Sequence, residues 1–270
     1  MSKLFRYVSL FSGPVLVGAI NLAHPNVSSS AGVYQSVSPH VEWWIMLHVL
    51  NLAGFALLAL AAYVLLQEEQ DLAATISRVA LAIFIPFYLG FDALIGLGTG
   101  TLVQYANHLP ADQLPGAKLA VEAVWTSSLG AILAAIGSSA WVISMLSAAI
   151  ALAEPSRRRV VTVLAVLAFG LVGWGIAASS AGTVLWWIAF AVAGLAVFSV
   201  SRPRLPVTLL VLAGMLFGTR HAVPTGPLGM ACFVVGVAWL EWVVRKARVP
   251  VEHREVQGVE ASHDFGRSVL

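Results

Sequence analysis

Apolar residues follow one another along this chain in long stretches that are separated by short polar turns. A helix needs about 20 mostly apolar residues to cross a bilayer, and eight stretches approach that length. They are residues 5–23, 41–66, 76–106, 119–153, 160–178, 184–200, 206–220 and 228–244. The pattern predicts an all-α, polytopic membrane bundle of about eight transmembrane helices. We assign the bundle to residues 1–248 and expect the polar, non-periodic residues 249–270 to form a disordered cytoplasmic tail.

Two of these segments have a second interpretation. The first follows Lys3 and Arg6, as the apolar part of a signal peptide would. However, Asn21 stands where a cleavage site needs a small residue, so we expect an uncleaved helix. The seventh has about 15 apolar residues, a length that also suits a re-entrant segment.

The basic residues favour a crossing at the seventh segment. With a cytoplasmic N-terminus and eight crossings, every Lys and Arg except Lys118 and Arg220 lies on the cytoplasmic side, as the positive-inside rule requires. If the seventh segment did not cross, the basic cluster at 245–248 would lie outside. We therefore predict a multi-pass protein of the cell membrane with both termini in the cytoplasm.

The composition excludes several classes of protein. The chain is 59% hydrophobic and 10% charged, whereas soluble domains carry about 25% charged residues, so a soluble enzyme is excluded. The net charge is only +2, and the basic residues lie in short clusters beside apolar segments, so no nucleic-acid partner is expected. The single cysteine, Cys232, allows neither an intramolecular disulfide nor a thiolate metal cage.

A carboxylate and a histidine inside membrane segments mark the candidate site, because ionisable groups are costly there and usually serve a function. Asp92 lies near the middle of the third segment, and the helical period places it on one face with Gly96 and Thr99. In the second segment, His48 and Asn51 belong to a mixed aromatic and polar stripe. The full stripe is Trp44, His48, Asn51 and Phe55.

Depth along the helices brings these side chains together. At about 1.5 Å per residue, His48 lies roughly 10 Å and Asn51 roughly 15 Å from the outer end, and Asp92 about 15–20 Å. We predict a ligand or proton site formed by these three residues and Glu122, which we place in the first turn of the fourth helix. On the same side, the predicted residues of an outward-facing vestibule are His24, Arg220 and His221.

Each of these residues also has a plain structural interpretation. A buried histidine or aspartate can tie two helices together through a hydrogen bond worth about 0.6 kcal/mol. An acidic residue such as Glu122 in a first helical turn interacts favourably with the helix dipole. His24, His40 and His108 are interpreted as loop residues in water.

Three functions fit this pattern. The first is binding or translocation of a small solute or proton through an outward-facing polar cavity, and the second is a membrane scaffold or sensor subunit. The third is a metal- or haem-dependent membrane oxidoreductase. A mixed site of His24 or His221 with His48, Glu122 or Asp92 would satisfy metal chemistry, but no HxH, HxxxH or HExxH motif concentrates the ligands.

The sequence identifies no catalytic residue, cofactor or metal, and it favours a binding protein over an enzyme. Only His48 is placed clearly inside the core, which weakens a haem held by two histidines. The lipid bilayer is the partner that follows from the composition, with a small solute or proton as the expected ligand. The sequence indicates no particular protein partner.

Overall fold

The computed structural model describes residues 2–27, 30–153, 204–219 and 221–248 of the 270-residue chain. All regular elements in these ranges are helical, as the sequence predicts. They are α1 (Lys3–Leu22), α2 (Val33–Val37), a 3₁₀ turn (Ser38–His40), α3 (Val41–Leu65), α4 (Leu72–Phe91), a π-helical segment (Asp92–Gly98), α5 (Thr99–Ala106), α6 (Leu114–Trp125), α7 (Ser128–Ala151), α8 (Arg204–Thr219) and α9 (Thr225–Arg248).

Five helical stretches in the described residues are long and apolar enough to cross a membrane, which is compatible with a membrane protein. They are Lys3–Leu22, Val33–Leu65, Leu72–Ala106, Leu114–Ala151 and Thr225–Val243. Helix α8, at 16 residues, is shorter than these. The predicted segments 160–178 and 184–200 and the predicted tail lie outside the described residues.

The prediction of one continuous fourth helix over 119–153 is wrong, because the helix is interrupted between α6 and α7. Thr126 leaves the helix with its hydroxyl donating to the carbonyl of Glu122 at 2.7 Å. Ser127 then adopts an extended backbone, and its hydroxyl accepts from the Gly130 amide at 3.1 Å. Serine is a strong N-cap residue, so the hydroxyl-rich run starts a new helix although the apolar pattern continues through it.

Six long elements close into a ring. Around the ring, α1 packs on α3, α3 on α4, α4 on α7, α7 on α8, α8 on α9, and α9 returns to α1. The α1–α3 contact is tight because Gly13 has no side chain: a Cβ there would overlap the backbone of Leu57 and Leu58. Small residues at such crossings let two membrane helices approach closely.

The middle of the bundle is filled with aromatic rings. Five of these side chains are at most 2% exposed: Phe55, Phe84, Tyr88, Trp141 and Phe217. Tyr88 contacts Phe55, Phe84 and Phe217 at ring-centroid separations of 5.0, 5.0 and 5.6 Å. Each such pair adds about 0.5–1.5 kcal/mol beyond area burial. We call these five residues the aromatic core; it joins α3, α4, α7 and α8.

The two ends of the bundle differ in chemistry. At the end where α1 and α8 finish and α3 begins, which we call the histidine end, lie His24, His48 and His221. At the opposite end, which we call the basic end, Arg6 of α1 pairs with Glu241 of α9 at 2.7 Å. Arg78 donates there to two carbonyls at the end of α3 and in the turn that follows.

Candidate functional site

Three histidines from different parts of the chain converge at the histidine end. His24 lies two residues beyond the last residue of α1, His221 two residues beyond the last residue of α8, and His48 inside α3. Each offers one ring nitrogen, and these nitrogens all lie within 4.8 Å of one another. The ring centroid of His24 is 5.4 Å from that of His48 and 5.4 Å from that of His221.

Backbone carbonyls fix the orientation of two of these rings. The Nδ1 atom of His24 lies 2.8 Å from the carbonyl oxygen of Pro25, and that of His48 lies 2.7 Å from the carbonyl oxygen of Trp44. A carbonyl oxygen only accepts, so Nδ1 carries the proton in both rings and Nε2 carries the lone pair. Metal-binding histidines usually donate their second N–H in this way.

His221 is held from two sides. Its Nδ1 atom lies 3.2 Å from the hydroxyl oxygen of Tyr88, which belongs to the aromatic core. A Cβ at Gly226, in the first turn of α9, would overlap the His221 backbone, so the start of α9 packs directly against this loop. The site and the aromatic core are thus one continuous packed unit.

A carboxylate lies beside the histidines. The Oδ1 atom of Asp92 is 3.9 Å from Nε2 of His48, and the Asp92 side chain is only 1% exposed. Neither carboxylate oxygen has a hydrogen-bond donor within the described ranges. A buried ionised carboxylate without a donor is unfavourable by several kcal/mol. A cation bound at the histidines would offset that cost.

The π-helical segment shapes the wall on which Asp92 lies. Single π turns inside α-helices occur frequently at functional sites. Here the indole N–H of Trp44 donates to the carbonyl of Gly96 at 2.8 Å, which ties α3 to the segment. Gly96 itself accommodates the His48 ring, because a Cβ there would lie 2.6 Å from Nε2 of His48.

The side chains of His24, His48, His221 and Asp92 all line one cavity of about 540 Å³. Helices α2 and α6 cover it through Val33, Glu122 and Trp125. Trp44, Phe91 and Ile95 form further apolar wall. The rise along each helix places Phe55, Tyr88 and Phe217 of the aromatic core deeper than the histidines along α3, α4 and α8, so the described residues close the bundle beneath the site.

The remaining predicted site residues differ in their relation to the cavity. Asn51 does not line the cavity; it accepts a hydrogen bond from Asn21 at 2.9 Å, and both amides are fully buried between α1 and α3. Glu122 does line the cavity, and its Oε1 accepts from the Val33 amide at 2.8 Å. Arg220 lies outside the described residues.

Two details of the prediction are corrected. Glu122 lies in the last turn of α6, not in the first turn of a long fourth helix, because the helix breaks at 126–127. The favourable dipole interaction proposed for it is therefore wrong. His24 is half-buried against the cavity and is not a loop residue in water, whereas His40 and His108 are exposed as expected.

The sequence predicts a mixed site of His24 or His221 with His48 as one alternative, but no ligand motif within a segment indicates that all three histidines meet. The signal was present in a different form. His24 and His221 both follow the C-terminal ends of apolar helices that finish at one end of the bundle. The turn after each helix carries a side chain back over the helix ends, where His48 lies one to two turns below.

The donor set fits a transition-metal ion better than a haem bound by two of these histidines. Imidazole nitrogens suit zinc, copper, iron and nickel, and a carboxylate oxygen is compatible with the same ions. Imidazoles that share a haem iron stand on opposite faces of the macrocycle. The rings of His24 and His48 meet edge to face at 5.4 Å, which leaves no space for a macrocycle between them.

Comparison with known proteins adds no assignment to this geometry. No family model matches the chain, and no curated protein and no solved structure matches it either.

Proposed function

We propose that this chain is a multi-pass membrane protein that binds a first-row transition-metal ion through His24, His48 and His221. The observation that carries the proposal is the approach of the three donor nitrogens to within 4.8 Å of one another. The centre of an equilateral triangle of that size is about 2.8 Å from each corner, while metal–nitrogen bonds are about 2.0–2.1 Å. Each nitrogen therefore has to move by about 0.7 Å or less to reach a bound ion.

Asp92 supplies the charge that such a site needs. Its Oδ1 atom is 3.9 Å from Nε2 of His48, so an ion bound to that nitrogen comes within reach of the carboxylate. Three neutral imidazoles and one carboxylate make a donor set of three nitrogens and one oxygen. This set neutralises half the charge of a divalent ion, and the ion in turn stabilises a buried carboxylate that has no hydrogen-bond donor among the described residues.

The direct test is metal loading of the full-length protein purified in detergent. The wild-type protein is expected to retain close to one equivalent of Zn²⁺ or Co²⁺ per chain after gel filtration, measured by elemental analysis. Replacing His24, His48 or His221 singly with glutamine is expected to lower the affinity at least tenfold, because each change removes one of three nitrogen ligands.

His40 and His108 provide matched controls. Both are exposed histidines near the same end of the bundle and lie outside the cavity lining, so His40→Gln and His108→Gln are expected to keep wild-type loading. The proposal fails if wild-type protein retains no metal. It also fails if the control variants lose metal to the same extent as the three site variants.

A second candidate is binding or passage of a small solute or proton, and the cavity of about 540 Å³ with Asp92 in its wall favours it. The aromatic core lies beneath this cavity, so passage through the described part of the bundle requires those rings to rearrange. This candidate would be favoured if the protein retains no metal and Asp92→Asn abolishes its binding or passage of a solute or proton. A scaffold or sensor role is compatible with either ligand.

We also propose eight crossings with both termini in the cytoplasm. Ala153 and Val207 flank the stretch 154–203, and both belong to one packed cluster. This contact supports an even number of crossings between the two flanks, as the predicted segments 160–178 and 184–200 would provide. Arg6 and Arg78 at the basic end support a cytoplasmic location for that end.

Accessibility of single cysteines tests this topology. In a Cys232→Ser background, a membrane-impermeant maleimide applied to intact cells is expected to label His108→Cys and Ser180→Cys. It is expected to leave Gln70→Cys unlabelled until the membrane is permeabilised. Protection of Ser180→Cys together with labelling of His108→Cys would remove the two crossings between 154 and 203. Labelling of Gln70→Cys in intact cells would reverse the orientation.

A further inference from the structure

We infer that the bound ion keeps a coordination position open to the cavity, and that this position takes an oxygen atom of a neutral, largely apolar organic molecule. The inference rests on the proposed metal function. His24, His48, His221 and Asp92 all line the same cavity. An ion held at their centre therefore forms part of the cavity wall. First-row ions accept a fifth ligand beyond four protein donors, and the cavity is where that ligand has space.

The size and the walls of the cavity select the body of this molecule. A volume of about 540 Å³ lies within the roughly 300–1,000 Å³ that small-molecule pockets occupy. Apart from the four proposed metal ligands, the cavity wall consists mainly of apolar and aromatic side chains. They include Val27, Val33, Trp44, Phe91, Ile95 and Trp125. Such a wall favours a hydrocarbon or aromatic body over a polar one.

The charges around the cavity select the polar end. A divalent ion brings two positive charges, and the carboxylates of Asp92 and Glu122 both lie in the cavity wall. Among the described lining residues there is no lysine or arginine. With neutral imidazoles, the divalent ion and the two carboxylates therefore balance to a formal charge of zero over the described lining residues. A neutral oxygen donor leaves this balance unchanged, whereas an anionic ligand gives the loaded site a net negative charge inside a largely apolar cavity.

The cobalt-loaded full-length protein makes the open position measurable, because the visible absorption of Co²⁺ changes when a new ligand binds. Benzamide is the probe: it stays neutral when it coordinates a metal, offers a carbonyl oxygen and carries an aromatic ring. Acetamide has the same donor without the ring, and benzoate has the ring with a negative charge. Benzamide is expected to shift the cobalt bands at a concentration at least tenfold lower than either comparator.

Two adjacent alanines of α7 provide a matched pair of variants. Ala134 lines the cavity, whereas Ala135 is exposed and faces a separate apolar groove between α4 and α7. Ala134→Phe is expected to fill the cavity and to raise the half-saturating concentration of benzamide at least tenfold, while cobalt uptake remains. Ala135→Phe is expected to leave both measurements unchanged.

The possible outcomes separate this inference from the proposed function. A protein that takes up no cobalt overturns both. Cobalt uptake through the three histidines with no spectral response to any probe overturns the open position alone. An equal or stronger response to benzoate overturns the selection of a neutral molecule, and an equal response of Ala134→Phe and Ala135→Phe overturns the cavity as the binding place.

Discussion

Replacing Gly96 with alanine is expected to displace the His48 imidazole and to lower the affinity of the protein for zinc or cobalt by tenfold or more. The added Cβ would overlap the ring and lie 2.6 Å from its Nε2 atom. Because Nδ1 bonds the Trp44 carbonyl, Nε2 is the nitrogen whose lone pair is available to bind a metal ion. His48 lies inside α3 and cannot retreat without breaking its bond to Trp44 or moving the helix. Changes that reorient a metal ligand typically weaken metal binding about 10–100-fold.

Gly98→Ala is the matched control for this change. Gly98 belongs to the same π-helical segment, but a Cβ there would meet its nearest atoms at 3.7 Å, an ordinary contact distance. Both variants add one methyl group and reduce backbone freedom equally. Metal affinity by competition with a chromogenic chelator and the thermal midpoint in detergent are measured for both. Equal affinities for the two variants would show that Gly96 does not position the His48 ring.

The apolar pattern predicts most of the described helices, for a physical reason. A membrane helix needs a certain length and must bury its polar backbone within itself, so the run at 41–66 closely predicts α3, Val41–Leu65. The stripe from Trp44 to Phe55 is buried because its polar members are expensive to expose to lipid. Prediction succeeds here because one local rule determines the outcome.

The break between α6 and α7 shows where that rule stops working. Hydropathy is nearly blind to Thr126, Ser127 and Ser128, since three small hydroxyl residues hardly interrupt an apolar stretch of this length. Their effect lies in hydrogen bonding: the Ser127 hydroxyl satisfies the amide of Gly130 and so stabilises a helix start. Interpreting Ser127 as an N-cap would have placed Glu122 near the end of α6.

The composition of the site depends on tertiary packing, which a single sequence does not display. Asp92 and His48 could be paired by counting helical depth. The sequence could place His24 and His221 at the same end of the bundle, but their joint approach to His48 required knowing that α1 and α8 end beside α3. The π-helical segment is another tertiary product, because it shifts the register between Asp92 and Gly98 and places a carbonyl toward the Trp44 indole. An ideal α-helix over Asp92–Gly98 has neither this register shift nor a carbonyl oxygen directed at the Trp44 indole.

Asp92 and His48 are expected to act as one unit in metal binding, and a double-mutant cycle exposes this coupling. His48→Gln is expected to lower zinc affinity by about a hundredfold, because it removes a nitrogen ligand, and Asp92→Asn by about tenfold, because it removes the charge and keeps the shape. The double variant is expected to bind no more weakly than His48→Gln alone, within a factor of about three.

The cycle also separates a metal site from a helix tie. Two residues that only hold α3 against the π-helical segment would change the thermal midpoint of the metal-free protein and leave metal retention intact. If both residues are ligands of one ion, their replacement abolishes the rise in midpoint that zinc produces, and Asp92→Asn does not lower the metal-free midpoint, because it removes a buried carboxylate without a hydrogen-bond donor in the described ranges. His40→Gln and Glu42→Gln, at exposed positions of the histidine end, control for loss of a histidine or a carboxylate as such. Additive losses in the double variant, multiplying to about a thousandfold, would show that Asp92 acts on the ion independently of His48 although their side chains lie 3.9 Å apart.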